Sequence, residues 1–80
     1  MTNSINDKVK KIVISVLNIS EDQFTEDLAI GDIPEWDSIN HVLLIQQIEE
    51  DFDINIDVTD AIDIEDFFDI ISTLKKYNIT

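Results

Sequence analysis

The sequence contains no cysteine and only one histidine, one proline and one glycine among its 80 residues. Without cysteine, the chain has no disulfide framework, no cysteine-ligated zinc module and no cysteine nucleophile of its own. A single histidine argues against a histidine-based metal site. No apolar run approaches the ~18 residues that a membrane-spanning helix needs, and the first residues lack the apolar core of a signal peptide. We therefore expect a cytoplasmic protein without a membrane span.

Basic residues are also scarce. Five of them stand against 18 acidic residues, which gives a formal net charge of −13 at pH 7. All five are lysines near the two ends of the chain: Lys8, Lys10, Lys11, Lys75 and Lys76. A chain this acidic is repelled by phosphate backbones, which excludes nucleic acid as a partner.

The acidic middle of the chain allows two interpretations. The charge either keeps the protein soluble or forms a docking surface for basic partners, with fast and salt-sensitive association. Hydrophobic residues make up 44% of the chain, so it is not a disordered acidic tail. We expect residues 1–80 to form a single domain, which is small enough to have only a few kcal/mol of net stability.

The spacing of apolar residues predicts three helices joined by one long and one short connection. The expected elements are a helix over about 4–18, a connection over 19–37 with a helical turn near 21–24, a helix over 38–52, a short helical turn near 60–64 and a last helix over 66–77. Ser4 is expected to cap the first helix, either Asp37 or Ser38 the second, and Thr59 the short turn. Asn78 is expected to end the last helix in the left-handed conformation.

The predicted second helix carries two apolar stripes. The first, sufficient to face a core, consists of Leu44, Ile45, Ile48 and Phe52. The second consists of Ile39, Val42 and Leu43. Either both stripes are buried in a wide core, or the second is a contact patch for a partner.

Two chemical sites suggested by individual residues lack essential parts in this sequence. A calcium-binding loop starting at Asp51 would have Ile56 where glycine is needed and Ile62 where a bidentate glutamate is needed. Ser38 and His41 lie on one helix face, but a hydrolytic pair would also require an orienting acid, an oxyanion site and a pocket. We expect neither a metal site nor catalytic residues.

Ser38 is the strongest local feature, because it places a hydroxyl at the start of a helix after a long loop. The free N–H groups and the dipole of a helix N-terminus attract anions, so a phosphate ester on Ser38 would be favourably placed. The alternative is that Ser38 serves only as a helix cap, which is a common role for serine.

Three parts of the sequence form a pattern that extends over most of the chain: residues 31–42, GDIPEWDSINHV, residues 48–52, IEEDF, and the spaced residues Ala61-x-x-Ile64-x-x-Phe67. Through this pattern nearly the whole chain resembles acyl carrier proteins. It implies an all-α fold, a four-helix bundle with a long first loop and a short third helix. It further implies a monomeric, non-catalytic carrier.

The resemblance also implies a modification and a set of partners. A phosphopantetheinyl transferase moves 4′-phosphopantetheine from coenzyme A to Ser38, with Asp37 positioning that enzyme and its metal-bound coenzyme A. A loading enzyme then attaches an acyl or aminoacyl group as a thioester, and a downstream synthase or transferase with a basic docking patch receives it. The residues that match the family's recognition surface are Ile39, Val42, Glu49, Glu50 and Asp51.

Several positions depart from the pattern of fatty-acid carriers: Trp36, Asn40, Leu43 and Gln46. These departures favour a carrier of a specialised pathway, such as lipid, polysaccharide or secondary-metabolite assembly, over one serving the housekeeping fatty-acid synthase. Two alternatives stay open: an aminoacyl, D-alanyl or peptidyl carrier, and an unmodified acidic helical adaptor.

Overall fold

The computed structural model describes residues 4–79, and these form four α-helices and one 3₁₀ turn. The elements are α1 (Ile5–Leu17), the 3₁₀ turn (Glu21–Gln23), α2 (Ser38–Phe52), α3 (Val58–Asp63) and α4 (Phe67–Lys76). Within this part of the chain the extended pairing amounts to one isolated bridge, between Ala29 and Asp66. The all-α fold with a long first loop and a short third helix is therefore confirmed. No helix in the described range is long and apolar enough to cross a membrane.

Three of the four α-helices begin with a side-chain cap. Ser4, Asp37 and Asp66 each accept a hydrogen bond from the backbone N–H three residues later, at 2.8–3.1 Å. Each cap satisfies one of the amide groups that a helix N-terminus leaves without a partner. The prediction that Ser4 caps α1 is confirmed. Of the two residues predicted as possible caps of α2, Asp37 is the cap and Ser38 is not.

The start of α3 differs from the prediction. Thr59 does not cap it, because the helix already begins at Val58. The backbone carbonyl of Asp57 accepts from the N–H of Ala61 at 2.9 Å, which makes Asp57 the residue preceding the first turn. Asn78 has φ 68°, so its predicted left-handed conformation is confirmed.

The core lies between α1, α2 and α4, with α1 packed against both other helices. Within residues 4–79, sixteen buried apolar side chains form it, and they include Val9 and Val13 of α1, Leu44 and Ile48 of α2, and Ile70 and Leu74 of α4. The loop before α2 adds Leu28 and Trp36 to this core. Trp36 is fully buried and is the largest of the side chains that are completely enclosed.

The short helix α3 contributes no buried side chain. The buried residue Ile56 lies two positions before it, and the buried residue Ile64 directly follows it. The hydrophobic effect therefore anchors mainly the ends of this segment, and Ala61 is the residue of the helix itself that packs, partly buried, against the core. Polar contacts with α2 and α4 add to this packing.

Candidate functional site

Ser38 is the first residue of α2, and its side chain is exposed. The capping position before it is filled by Asp37, whose carboxylate accepts from the N–H of Asn40 at 2.8 Å. The backbone carbonyl of Asp37 also accepts from the N–H of His41 at 2.8 Å. The interpretation of Ser38 as only a helix cap is thus wrong, and its hydroxyl lies at the positive end of the α2 dipole.

The segment before Ser38 is held in place by its own hydrogen bonds. The carbonyl of Trp36 accepts from the N–H of Gly31 at 3.0 Å, and the Asn40 side-chain amide donates to the carbonyl of Glu35 at 2.7 Å. Gly31 has φ +89°, a conformation that residues with a Cβ rarely adopt. The single glycine of the chain therefore permits the turn that brings the loop back to the start of α2.

The Trp36 indole N–H donates a hydrogen bond to Nδ1 of His41 at 3.0 Å. The ring planes are inclined by 22° and the centroids lie 6.2 Å apart, which fits two rings joined edge to edge by this hydrogen bond. Because an indole N–H is only a donor, Nδ1 is the acceptor and the imidazole proton sits on Nε2. Nε2 then donates to the carbonyl of Ala61 on α3 at 3.2 Å.

This hydrogen-bond chain was not predicted from the sequence, which marked Trp36 only as a departure from the family pattern. The available signal was the presence of one tryptophan and one histidine five positions apart. These two hydrogen bonds occupy both ring nitrogens of His41, which leaves neither free to activate the Ser38 hydroxyl. The geometry therefore agrees with the rejection of a hydrolytic Ser–His pair.

The second apolar stripe of α2 is exposed rather than buried. Ile39, Val42 and Leu43 keep 72%, 54% and 48% of their surface accessible. Val58 and Ile62 of α3 are exposed as well. The interpretation of a core wide enough to bury both stripes is therefore wrong. An apolar surface next to Ser38 is the kind of feature that marks a contact site.

An open groove of about 300 Å³ lies between α2 and α3. Its apolar lining consists of Val42, Ile45, Ile56, Val58, Ala61 and Ile62. His41, Gln46 and Glu49 complete the lining. The groove thus starts about one helical turn after Ser38 and has an apolar character suited to a hydrophobic ligand.

The three acids predicted for partner recognition have different environments. Glu49 is half-buried, and its carboxylate accepts from the N–H of Ile56 at 2.7 Å, which holds the connector between α2 and α3. Asp51 accepts from the Gln47 side chain at 2.9 Å. Glu50 is exposed. The structure therefore brings these acids together along α2 but not onto one face.

The surroundings of Glu50 and Asp51 show this divergence. Glu50 shares a shallow depression with Leu43 and Gln46, on the exposed face of α2. Asp51 instead lines the groove between α1 and α2, together with Lys8 and Lys11. Glu49 and Glu50 therefore both lie near the exposed apolar stripe, beside Val42 and Leu43 respectively, and of these two acids Glu50 is the exposed one.

Within residues 4–79 no group of three or more His, Cys, Asp or Glu side chains is arranged to hold a metal ion. The acidic segment 51–62 forms the end of α2, a connector and most of α3 rather than a closed cation-binding loop. The candidate site therefore consists of the exposed hydroxyl of Ser38, the helix N-terminus that carries it and the apolar groove beside it.

Comparison with known proteins identifies relatives along most of the chain. It is 30% identical over 74 residues to the acyl carrier protein of Akkermansia muciniphila, covering 92% of each protein. It is 39% identical over 59 residues to the acyl carrier protein of Buchnera aphidicola subsp. Schizaphis graminum, covering 74% of the chain and 75% of that relative.

No protein-family model matches the chain. The fold matches a solved structure from Mycobacterium tuberculosis, a protein provisionally designated an acyl carrier protein. The TM-score is 0.81 at 22% identity, over 92% of this chain and 99% of that one, and this likeness shows the shared fold. The two sequence relatives show the family as well as the fold. The chain belongs to the acyl carrier protein family, and its general role is that of a carrier.

Proposed function

We propose that Ser38 carries 4′-phosphopantetheine and that the protein holds acyl or aminoacyl groups as thioesters on the thiol of that arm. A transferase would join the Ser38 oxygen to the phosphopantetheine phosphate of coenzyme A, and the adenosine bisphosphate half of coenzyme A would leave. The observation that carries the proposal is the exposed Ser38 hydroxyl at the start of α2, with the capping role already filled by Asp37.

The residues around Ser38 fit such a group. A phosphate ester there would lie at the positive end of α2, which favours negative charge. The prosthetic group would supply a thiol that this cysteine-free chain lacks. The apolar groove between α2 and α3 begins one turn further along the helix and would shelter part of the arm or a hydrophobic cargo.

The proposed partners are the phosphopantetheinyl transferase, a loading enzyme and a downstream enzyme with a basic docking patch. Ile39, Val42 and Leu43 offer them an exposed apolar contact beside Ser38. The acids Asp37 and Glu50 adjoin this contact along α2, and the net charge of −13 would attract basic surfaces from a distance. Carriage, rather than catalysis, is the role that this arrangement supports.

The proposal is tested by the intact mass of the protein after incubation with coenzyme A, Mg²⁺ and a broad-specificity phosphopantetheinyl transferase. We expect a single phosphopantetheine adduct on the wild-type chain and none on Ser38→Ala. The Ser72→Ala variant is a matched control, because it removes an exposed serine from α4 and leaves Ser38 in place. A folded wild-type chain that takes no adduct would support the unmodified adaptor instead.

A further inference from the structure

Three segments meet at the ring of His41. Its Nδ1 accepts from the buried indole of Trp36, which lies two residues before Ser38. Its Nε2 contacts the carbonyl of Ala61 on α3. The backbone of His41 belongs to the first turns of α2, three residues after Ser38. One side chain therefore links the loop before Ser38, the helix that begins with Ser38 and the helix across the groove.

The hydrogen bond between Trp36 and His41 would be costly to lose. Trp36 is fully buried, so its indole N–H cannot reach solvent. If it lost its acceptor, it would either stay without a hydrogen bond, which destabilises the fold, or the indole ring would have to move toward the surface. Trp36 is separated from Ser38 only by Asp37, so such a movement would reach the capping residue and the hydroxyl. The link to Ala61 matters for a similar reason, because α3 has no buried side chain to hold it.

We propose that Trp36 and His41 are positioning residues that hold the Ser38 hydroxyl for transfer of the prosthetic group. This inference rests on the proposed function. The transferase must meet the hydroxyl in one orientation, and a displacement of about 1 Å can reduce the rate by about 10²-fold. The hydrogen bond from Trp36 to His41 fixes the segment that delivers this hydroxyl, without either side chain contacting the reacting atoms.

Two amide substitutions separate the two ends of the histidine. His41→Asn places an acceptor oxygen close to the position of Nδ1 and retains the partner of Trp36. His41→Gln places its amide nitrogen close to the position of Nε2 and retains the contact with Ala61. Trp36→Phe removes the indole donor and keeps an aromatic ring in the core.

The experiment measures kcat and KM of the transferase separately for the wild type and the three variants. We expect kcat to fall about tenfold or more in His41→Gln and Trp36→Phe and to remain within about twofold in His41→Asn. Partial unfolding alone would reduce the competent protein concentration, which raises the apparent KM and leaves kcat unchanged. A loss in kcat therefore reports orientation and not stability.

The ¹H–¹⁵N resonance of the Trp36 indole provides a readout that needs no transferase. The chain has one tryptophan, so the signal is unambiguous, and we expect slow exchange with solvent in the wild type and His41→Asn and fast exchange in His41→Gln. Equal kcat in all four proteins, an equal loss in His41→Asn, or a freely exchanging wild-type indole overturns the positioning inference alone. A wild-type chain that takes no adduct overturns the proposed function and this inference together.

Discussion

The Tyr77 hydroxyl donates a hydrogen bond to the Asp60 carboxylate at 2.8 Å and accepts one from the backbone N–H of Asp57 at 2.8 Å. Lys76 binds the other oxygen of the same carboxylate at 2.8 Å. The C-terminal end of α4 thus holds the N-terminal half of α3. Together with the contact between His41 and Ala61, these bonds position a helix that has no buried side chain of its own.

The bonds around Asp60 predict a pH-dependent contribution to stability. The hydrogen bond from Lys76, then that from Tyr77, lowers the pKa of Asp60 below its ordinary value of 3.8, although partial desolvation acts in the opposite direction. A carboxyl group whose pKa is lowered by folding stabilises the fold above its unfolded pKa, and this contribution is lost as the pH falls through the folded pKa. Asp60→Asn should therefore have a lower Tm than the wild type at pH 7, and the difference should shrink below about pH 4.

Thermal unfolding of both proteins from pH 7 to pH 3 checks this prediction. Asp63→Asn is the matched control, because Asp63 lies at the exposed C-terminal end of the same helix. We expect that removing an acid there will not lower the Tm, since a negative charge at a helix C-terminus is unfavourable. A Tm difference for Asp60→Asn that is as large at pH 3 as at pH 7 would contradict the assigned role of the carboxylate.

The adjacent residues Leu43 and Leu44 should respond very differently to truncation. Leu44 is fully buried against the core, whereas Leu43 keeps about half of its surface exposed. We expect Leu44→Ala to reduce the free energy of unfolding by about 2–5 kcal/mol, and Leu43→Ala to reduce it by less than about 1 kcal/mol. Urea denaturation followed by circular dichroism measures both values. Similar losses in the two variants would contradict an orientation of α2 in which Leu44 faces the core and Leu43 faces solvent.

Charge reversal at Glu50 should slow modification by the transferase, if the proposed function holds. Glu50 is exposed beside the apolar stripe of α2, so a lysine there would reduce the attraction of a basic docking patch. We expect kcat/KM for Glu50→Lys to fall about threefold or more at low ionic strength, and this difference to fade at high salt.

Glu26→Lys is the control for Glu50→Lys, because it makes the same change in net charge on the exposed loop before α2. Equal slowing by both variants would show that net charge matters and that α2 is not the recognition surface. Glu49 is unsuited to this experiment, because its carboxylate holds the N–H of Ile56 and its reversal would disturb the connector to α3.

The net charge of −13 predicts that added salt stabilises the protein. The Debye length is about 30 Å at 0.01 M ionic strength and about 10 Å at 0.1 M. The described chain measures 34 × 30 × 19 Å, so at low salt the acidic groups repel one another across the whole molecule. If screening by salt increases the free energy of unfolding by about 1 kcal/mol, the Tm should rise by about 4–8 °C.

Melting curves in NaCl and in MgCl₂ at matched ionic strength test this expectation. We expect the Tm to rise with concentration in both salts, because both screen the repulsion between the acidic groups. A Tm that does not change with ionic strength would show that self-repulsion has little effect on this fold.

Features that depend on neighbouring residues could be predicted from the sequence. The apolar periodicity predicted α1, α2 and α4, and the capping residues Ser4 and Asp37 marked two of the helix starts. These signals are local, because a helix and its caps are built from residues three or four positions apart. The start of α3 was predicted less well. Thr59 is an acceptable capping residue in sequence, but the carbonyl of Asp57 begins the turn earlier.

The sequence by itself determined the helical class, the acidic surface and the position of Ser38 at the start of a helix. Only the tertiary structure decided that Trp36 is buried against His41, that Ile39 and Leu43 remain exposed, and that Glu49 binds the connector. The reason is that burial depends on which helix faces meet, and a pair such as His41 and Ala61 is joined across 20 positions of the chain. Periodicity indicates that a side chain is apolar, but the packing of the other helices determines which apolar face they cover.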